Sequence, residues 1–300
     1  MNKILIIGCN GFIGSQLSAY LCNKGFNVYG CDISSKALQN ISYFQVDPLN
    51  PDYLRILKET KCSVIINCSG AASVPKSFET PVIDFNLNTN NVIKQLEAIR
   101  CTDLNCTYLN ISSAAVYGNP AELPIKETAV PSPVSPYGFH KLCAELVCTE
   151  YRNLFKINAS SLRVFSAYGN GLRKQIFYDI AQKVMHEAEI QVFGTGNETR
   201  DYIHIKDICQ AIYLLISSKN ELPSVINIAN GSQISVKTVV SEIMSVLGSK
   251  KNVVFSEHNR TGDPLFWEAD TTILQQFGYK QTVSLKDGVR EYIEWLKSTV

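Results

Sequence analysis

Tyr137 stands four residues before Lys141 in the segment Ser135-Pro136-Tyr137-Gly138-Phe139-His140-Lys141. On a helix this spacing puts both side chains on one face. A phenol beside an ammonium can take the proton of an alcohol while the carbinol carbon gives up a hydride. An ordinary phenol, with a pKa of about 10, is a poor base at neutral pH. An ammonium about 5 Å away, at an effective dielectric of about 20, favours the phenolate by about 3 kcal/mol, or roughly two pKa units. Spacing alone does not identify such a pair, because the chain holds three: Tyr20/Lys24, Tyr137/Lys141 and Tyr202/Lys206. Tyr20 falls in the first helical segment, and Tyr202 in an extended one where the spacing loses its meaning. Only Tyr137 has suitable surroundings. Ser135 offers an N-cap and Pro136 a first helical residue, so the tyrosine projects from the start of a long helix. Ser113, in Ser112-Ser113-Ala114-Ala115-Val116-Tyr117-Gly118 just after an apolar run, can hydrogen-bond the same substrate oxygen and hold it in line.

The hydride needs an acceptor, and the N-terminus offers a place for one. Gly8-x-x-Gly11-x-x-Gly14 follows the first apolar run and opens a helical segment. Glycines at these positions allow a tight turn, a backbone close to a pyrophosphate, and a helix packed on its sheet. The helix N-terminus adds unpaired N–H groups and the positive end of its dipole. Asp32 ends the second apolar run, 18 residues after Gly14, where a carboxylate accepts both ribose hydroxyls of NAD and repels the 2′-phosphate of NADP. NAD is therefore the expected cofactor.

These residues need a scaffold, and the first half of the chain supplies one. Apolar runs at 4–7, 27–31, 43–46, 64–67, 107–111 and 160–165 alternate with helix-length segments at 12–23, 53–60, 83–100 and 136–155. This rhythm predicts βαβ units around a doubly wound parallel sheet of the Rossmann type. Ligands in such sheets sit at the C-terminal ends of the strands, where Ser113 and Tyr137 can converge. Residues 120–136 hold five prolines and read as a long site-lining loop. A helix near 175–187, a strand ending at Phe193, a strand–helix pair at 201–217 and a strand at 225–229 complete the pattern. We expect an NAD-binding domain over 1–165, with 201–229 returning to it, and a smaller α/β substrate-binding lobe within 166–300.

With 300 residues, 45% apolar and 18% charged, the chain can bury a large core. Its 28 basic and 27 acidic residues give a formal charge of +1, which excludes a broad surface for nucleic acid or anionic lipid. No apolar run approaches the ~20 residues of a membrane span. The apolar start runs into the glycine turn without a cleavage pattern, so it reads as a strand rather than a secretory signal. Ten scattered cysteines without a C-x-x-C pair point to a reducing cytoplasm. Four distant histidines offer no metal-ligand spacing, so no metal is expected.

Over essentially its whole length the chain resembles the extended short-chain dehydrogenase/reductases, the NAD-dependent nucleotide-sugar epimerases and dehydratases. The likeness rests on Gly8-x-x-Gly11-Phe12-Ile13-Gly14, Asp32, Asp84-Phe85-Asn86-Leu87-Asn88, the Ser112–Gly118 and Ser135–Lys141 segments and Leu162-Arg163-Val164-Phe165. It continues through Val192-Phe193-Gly194-Thr195-Gly196, Thr199-Arg200-Asp201-Tyr202-Ile203-His204 and Arg260-Thr261-Gly262-Asp263. The resemblance implies Ser113 as catalytic hydroxyl, Tyr137 as base and Lys141 as its partner, with Tyr137 and Lys141 also meeting the cofactor. It implies Asp47 and Asn86 as further cofactor contacts. Phe193 would pack on the nucleotide base, Arg200 and Arg260 would clamp the substrate diphosphate, and Asp263 would meet its ribose. An aromatic face suits a base and two guanidinium forks suit a diphosphate. Ser73, in Ser73-Val74-Pro75-Lys76-Ser77, resembles the hexose-facing loop of hexosamine epimerases, whereas Trp267 stands where epimerases of unacetylated hexoses carry a bulky residue.

Departures narrow the reaction. Ala114 and Ala115 replace the Asp-Glu pair with which dehydratases eliminate water, and the Glu of related decarboxylases is absent too. Ser166 replaces the family's Asn and is a weaker candidate substrate contact. The leading expectation is a 4-epimerase of a nucleotide-diphosphate hexose acting through a transient 4-keto sugar. An NAD(P)H-dependent reductase of nucleotide-diphospho-4-keto-6-deoxysugars is the alternative, and a cofactor-sensing protein without chemistry a third reading. The long helical segments 83–100 and 136–155 could pair with copies of themselves in a homodimer, as in the family. Base and sugar stay open.

Overall fold

A computed structural model of the chain describes residues 3–258, 262 and 264–299. Strands β1 (Lys3–Ile7), β2 (Asn27–Asp32), β3 (Ser42–Gln45), β4 (Val64–Asn67), β5 (Thr107–Ser113) and β6 (Asn158–Val164) join Val225–Ile228 in one parallel sheet. The spatial order is β3-β2-β1-β4-β5-β6 and then Val225–Ile228. The winding direction therefore reverses between β1 and β4, and the crevice beyond their C-terminal ends is where such sheets bind ligands. The expected doubly wound Rossmann-type sheet is present.

Helices cover both faces, which explains the unbroken apolar runs of the strands. On one side Ile4, Ile6, Leu109 and Ile111 pack against Leu17 and Leu21 of α1 (Phe12–Asn23) and Ile208 and Ile212 of helix Ile205–Ser217. On the other, Leu5, Ile7, Ile65 and Tyr108 meet Ile56 of α2 (Tyr53–Thr60) and the helices that carry the site. A separate core joins helices Gln175–His186, Val236–Leu247 and Leu285–Ser298 through Phe177, Ile180, Val239, Ile243, Val289 and Tyr292. Short pairs such as Ile190–Val192 with Val253–Phe255 flank it.

Two short helices, α3 (Val74–Glu79) and α4 (Pro81–Phe85), follow β4. Segment 83–100 was expected as one helix, but α4 instead runs into a π turn at Asn86–Asn90 before α5 (Asn91–Arg100). Four asparagines within 86–91 favour helix weakly, and the wider turn rotates Asn88 and Thr89 into the interior. Next comes α6 (Pro136–Phe155). Among the described residues, no helix is long and apolar enough to cross a membrane, and no group of His, Cys, Asp or Glu could hold a metal ion. All ten cysteines are free.

Candidate active site

The glycine turn ends β1 and starts α1. Gly8 has φ of +79°, and a Cβ there would come within 2.6 Å of the Ser69 backbone nitrogen, because the loop after β4 crosses directly over it. A Cβ at Gly14 would lie 2.2 Å from the Gly8 carbonyl oxygen. Only glycine allows this strand, turn and helix to close so tightly. Gly11 is the N-cap of α1 and supplies no side-chain cap, so the first-turn N–H groups remain for a ligand, with Phe12 and Ile13 as the first helical residues.

Asp32 stands at the C-terminal end of β2, its two carboxylate oxygens accepting the backbone N–H groups of Asn10 (3.0 Å) and Ser34 (3.1 Å). The glycine turn and the acidic residue are thereby tied into one rim. Asp47 lies on the exposed turn after β3, and its Oδ1 accepts the N–H groups of Leu49 and Asn50.

Asn86 is exposed and pairs with the Asn90 side chain at 3.4 Å. The residue that turns inward is Asn88, 1% exposed, with neither amide atom hydrogen-bonded. A Cβ at Gly70 would meet Asn88 Oδ1 at 2.5 Å, so the amide abuts the loop after β4. The π turn decides between these two asparagines, and no local pattern in the sequence signals it.

Ser113 ends β5 and Tyr137 opens α6. Ser135 Oγ accepts the Gly138 N–H at 3.2 Å and Pro136 fills the first turn, as the capping signals require. Tyr137 and Lys141 are both buried, with the Lys141 ammonium 6.0 Å from the phenol ring centre. Lys141 Nζ donates to the Ile111 carbonyl at 3.0 Å, which holds it against β5. The Ser113 hydroxyl pulls the Tyr137 pKa down, a smaller influence than burial. It also accepts the Ala115 N–H at 3.1 Å. Ser113, Tyr137 and Lys141 are thus brought together.

Their protonation differs from the expectation. Burial is the largest influence on both groups, pushing Tyr137 up to about 12 and pulling Lys141 down to about 8. A lysine lowers a neighbour's pKa only to the extent that its own charge survives desolvation, and here both groups share one dry pocket.

One helical turn beyond Lys141, Glu145 accepts the Ser112 hydroxyl at 2.5 Å and pairs with Arg163 at 2.6 Å, both side chains 4% exposed. This pair braces α6 against β5 and β6.

The expected substrate side is more spread out. Ser73 caps α3 by accepting the Lys76 N–H. Val74 and Phe78 of α3, together with Ser135, crowd Gly262, so the Ser73 loop does reach the start of α6. Ser166 opens a short strand and donates its backbone N–H to the Asp201 carbonyl at 2.9 Å. The Asp201 carboxylate accepts N–H groups from Asn230, Gly231, Ser232 and Ala269, tying the Arg200 strand to the Trp267 segment.

Arg200 lies over the Trp267 ring at 5.7 Å. Trp267 is 7% exposed, donates its indole N–H to the Gly118 carbonyl at 2.9 Å, and packs edge-on to Phe165. It is a fixed wall rather than a swinging one. Phe193 is half exposed after strand Ile190–Val192. Arg260 and Asp263 lie outside the described residues.

The arrangement fits a dinucleotide. The glycine turn is bare of side chains and tightly closed, the helix start is uncapped, Asp32 stands beside it at the end of β2, and the Asn88 amide is buried without a partner.

Known proteins give the same answer. Over 305 residues, covering 98% of both chains, the chain is 28% identical to a protein of Methanocaldococcus jannaschii described as a putative UDP-glucose 4-epimerase. It is 25% identical to a UDP-glucose 4-epimerase of Mycolicibacterium smegmatis, covering 99% of each chain. Among solved structures, a UDP-glucuronic acid 4-epimerase from Bacillus cereus, in complex with UDP-glucuronic acid and NAD, superposes with a TM-score of 0.91 at 27% identity. That match covers 99% of this chain and 100% of that one. The model of the NAD-dependent epimerase/dehydratase family matches residues 4–229, and with the glycine cradle, Asp32 and the Ser113–Tyr137–Lys141 cluster in place, the chain belongs to that family.

Proposed function

We infer that the protein interconverts the C4 epimers of a nucleotide-diphosphate hexose, with NAD retained through the cycle. The observation that carries this reading is the meeting of Ser113, Tyr137 and Lys141 while Ala114 and Ala115 occupy the next two positions. A sugar held there meets one base and one hydrogen-bonding hydroxyl, and neither alanine can serve as acid or base for expelling water.

In this reading Tyr137 Oη accepts the proton of the 4-hydroxyl. Ser113 hydrogen-bonds the same oxygen as it becomes a carbonyl, and the Lys141 ammonium balances the charge on the phenol. When bound, NAD supplies the hydride acceptor and donor. Gly8, Gly11, Phe12, Ile13, Gly14, Asp32 and Asn88 would hold it, and Asp47 would meet its adenine. The 4-keto sugar, free at its reacting end, turns over and is reduced on its other face while Tyr137 returns the proton.

Arg200 and the expected Arg260 would anchor the diphosphate, Phe193 the base and Asp263 its ribose. Ser73 and Ser166 would face the sugar against the Trp267 wall. The named relatives are UDP-sugar epimerases, which supports a UDP-linked hexose as substrate. Ten unpaired thiols suit a reducing cytoplasm. A homodimer is supported by Ile93 on α5 and by Phe139 and Leu146 on α6, all exposed, the latter pair seven residues apart on one stripe.

Purified protein, given UDP-glucose or UDP-glucuronate without added cofactor, should convert one of them to a mixture of C4 epimers, read by chromatography. Tyr137→Phe should lose at least ~100-fold in turnover, the low end for a missing general base, with NAD still bound. A protein that converts neither sugar yet oxidises added NADH with a 4-keto-6-deoxysugar would overturn the epimerase reading in favour of the reductase.

A further inference from the structure

Asn10, inside the glycine turn, is bonded to the turn that follows β2 in a way the cofactor contacts above do not require. Its backbone N–H donates to Asp32 Oδ2 at 3.0 Å. Its side-chain Nδ2 donates to the Lys36 carbonyl at 2.9 Å and reaches the Tyr43 hydroxyl at 3.3 Å. Tyr43, on β3, gives its single proton to the Ser34 carbonyl, with the Asp32 carbonyl 3.3 Å away. Ser34 closes the turn from within. Its N–H donates to Asp32 Oδ1 at 3.1 Å, and its Oγ accepts the Lys36 N–H at 3.1 Å. Asn10 therefore stands where the glycine turn, the turn after β2 and strand β3 meet.

Ile33, Ser35 and Lys36 are exposed, so the 33–36 turn leans on these polar bonds rather than on core packing. The bonds also fix a charge. A carboxylate has about four lone-pair positions. In Asp32 a backbone N–H takes one on each oxygen, which stops the group from rotating and leaves each oxygen able to accept a hydroxyl. A fixed carboxylate binds a ribose diol without first being ordered. It also cannot swing away from a phosphate, and such a built-in repulsion is what separates two similar ligands.

We propose that Asn10 is a positioning residue for cofactor choice, whose side chain, through Lys36 and Tyr43, holds the turn after β2 and with it the Asp32 carboxylate in the orientation that accepts a ribose 2′-hydroxyl and repels a 2′-phosphate. This rests on the role of Asp32 given above and is independent of which sugar is converted.

The test is calorimetric titration of the full-length protein, stripped of co-purifying nucleotide, with NAD, NADP and ADP-ribose. Thermal unfolding of each variant checks that it folds. Asn10→Ala keeps the backbone N–H to Asp32 and removes both side-chain bonds. It should weaken NAD and ADP-ribose alike by about tenfold, the worth of one or two such bonds. NADP, which gains nothing from the fixed carboxylate, should change little, so the preference for NAD narrows. Tyr43→Phe keeps the ring, removes the hydroxyl, and should move the preference in the same direction. Because both side chains hold one turn, the double variant should lose less than the product of the two single losses. An Asn10→Ala protein with unchanged NAD affinity would overturn the proposal. So would one weakened for NAD and NADP by the same factor, which leaves Asn10 a merely structural part of the turn. Should Asn10→Ala not fold, the same ratio measured on Tyr43→Phe decides. A wild type that binds NADP as tightly as NAD would strike the role of Asp32, and this proposal with it.

Discussion

Lys141 sets the terms of the site at the level of single residues. Burial pulls its pKa from the ordinary 10.5 to about 8. Between those values the unfolded chain holds a proton on this lysine that the folded one has released. Stability therefore rises with pH across the window, and below it the buried ammonium is a standing cost. About two and a half pKa units correspond to ~3 kcal/mol, from which the lost hydrogen bond to Ile111 removes about 1 kcal/mol. Lys141→Met should therefore raise the unfolding midpoint of the cofactor-free protein by a few degrees at pH 7, with the gain vanishing towards pH 10.5. Calorimetry at several pH values reads this directly, and a midpoint lower than wild type at pH 7 would count against a strained ammonium. Tyr137 makes the complementary point. Its pKa of about 12, with the lowering by Ser113 already included, means that the chain's own groups do not generate the phenolate, so the positive charge of an oxidised cofactor would have to supply what burial takes away.

The elements convert these residues into a site by how closely they approach. The β1–α1 turn is held by two contacts that a methyl group would break, Gly8 against Ser69 and Gly14 against the Gly8 carbonyl. A Cβ at Gly11, by contrast, would meet that carbonyl at 3.2 Å, a clash that a small shift relieves. Gly14→Ala should lower the unfolding midpoint of the cofactor-free protein by several degrees, and Gly11→Ala by much less. Equal effects in thermal unfolding would mean that the turn absorbs a methyl group anywhere. The π turn at Asn86–Asn90 is the second device of this kind. One additional residue in the turn carries Asn88 inward and leaves Asn86 in solvent, so that side chains two positions apart trade places. α6 is the third: capped by Ser135 and opened by Pro136, it carries Tyr137, Lys141 and Glu145 on successive turns of one buried face.

Across the whole molecule, two cores adjoin, and Phe12 of α1 packs against both. The seven-stranded sheet carries the glycine turn and the Ser113–Tyr137–Lys141 cluster, and helix Ile205–Ser217 and strand Val225–Ile228 return to that sheet. Asp201, with four backbone N–H groups on one carboxylate, ties that returning segment to the Trp267 wall. The α5–α6 face carries an exposed stripe that a second copy would cover. Light scattering should give twice the chain mass for the wild type and a single chain mass for Phe139→Glu combined with Leu146→Glu. A wild type that scatters as one chain would remove the dimer.

Periodicity and spacing determined the parallel sheet and the glycine turn with Asp32, and the Ser135-Pro136 capping signal placed Tyr137 and Lys141 at the start of a long helix. Each of these depends on short-range rules: hydrophobic alternation with helical segments, glycine where a Cβ cannot fit, and capping at a helix start. What tertiary packing decided lies where distant segments share one environment. Asn88 rather than Asn86 turns inward because a π turn is a response to packing. Desolvation outweighs the lysine in setting Tyr137, because burial is a property of the assembled pocket. Asp84 finds His140 across 56 residues because α4 and α6 lie side by side, a contact that no local pattern records.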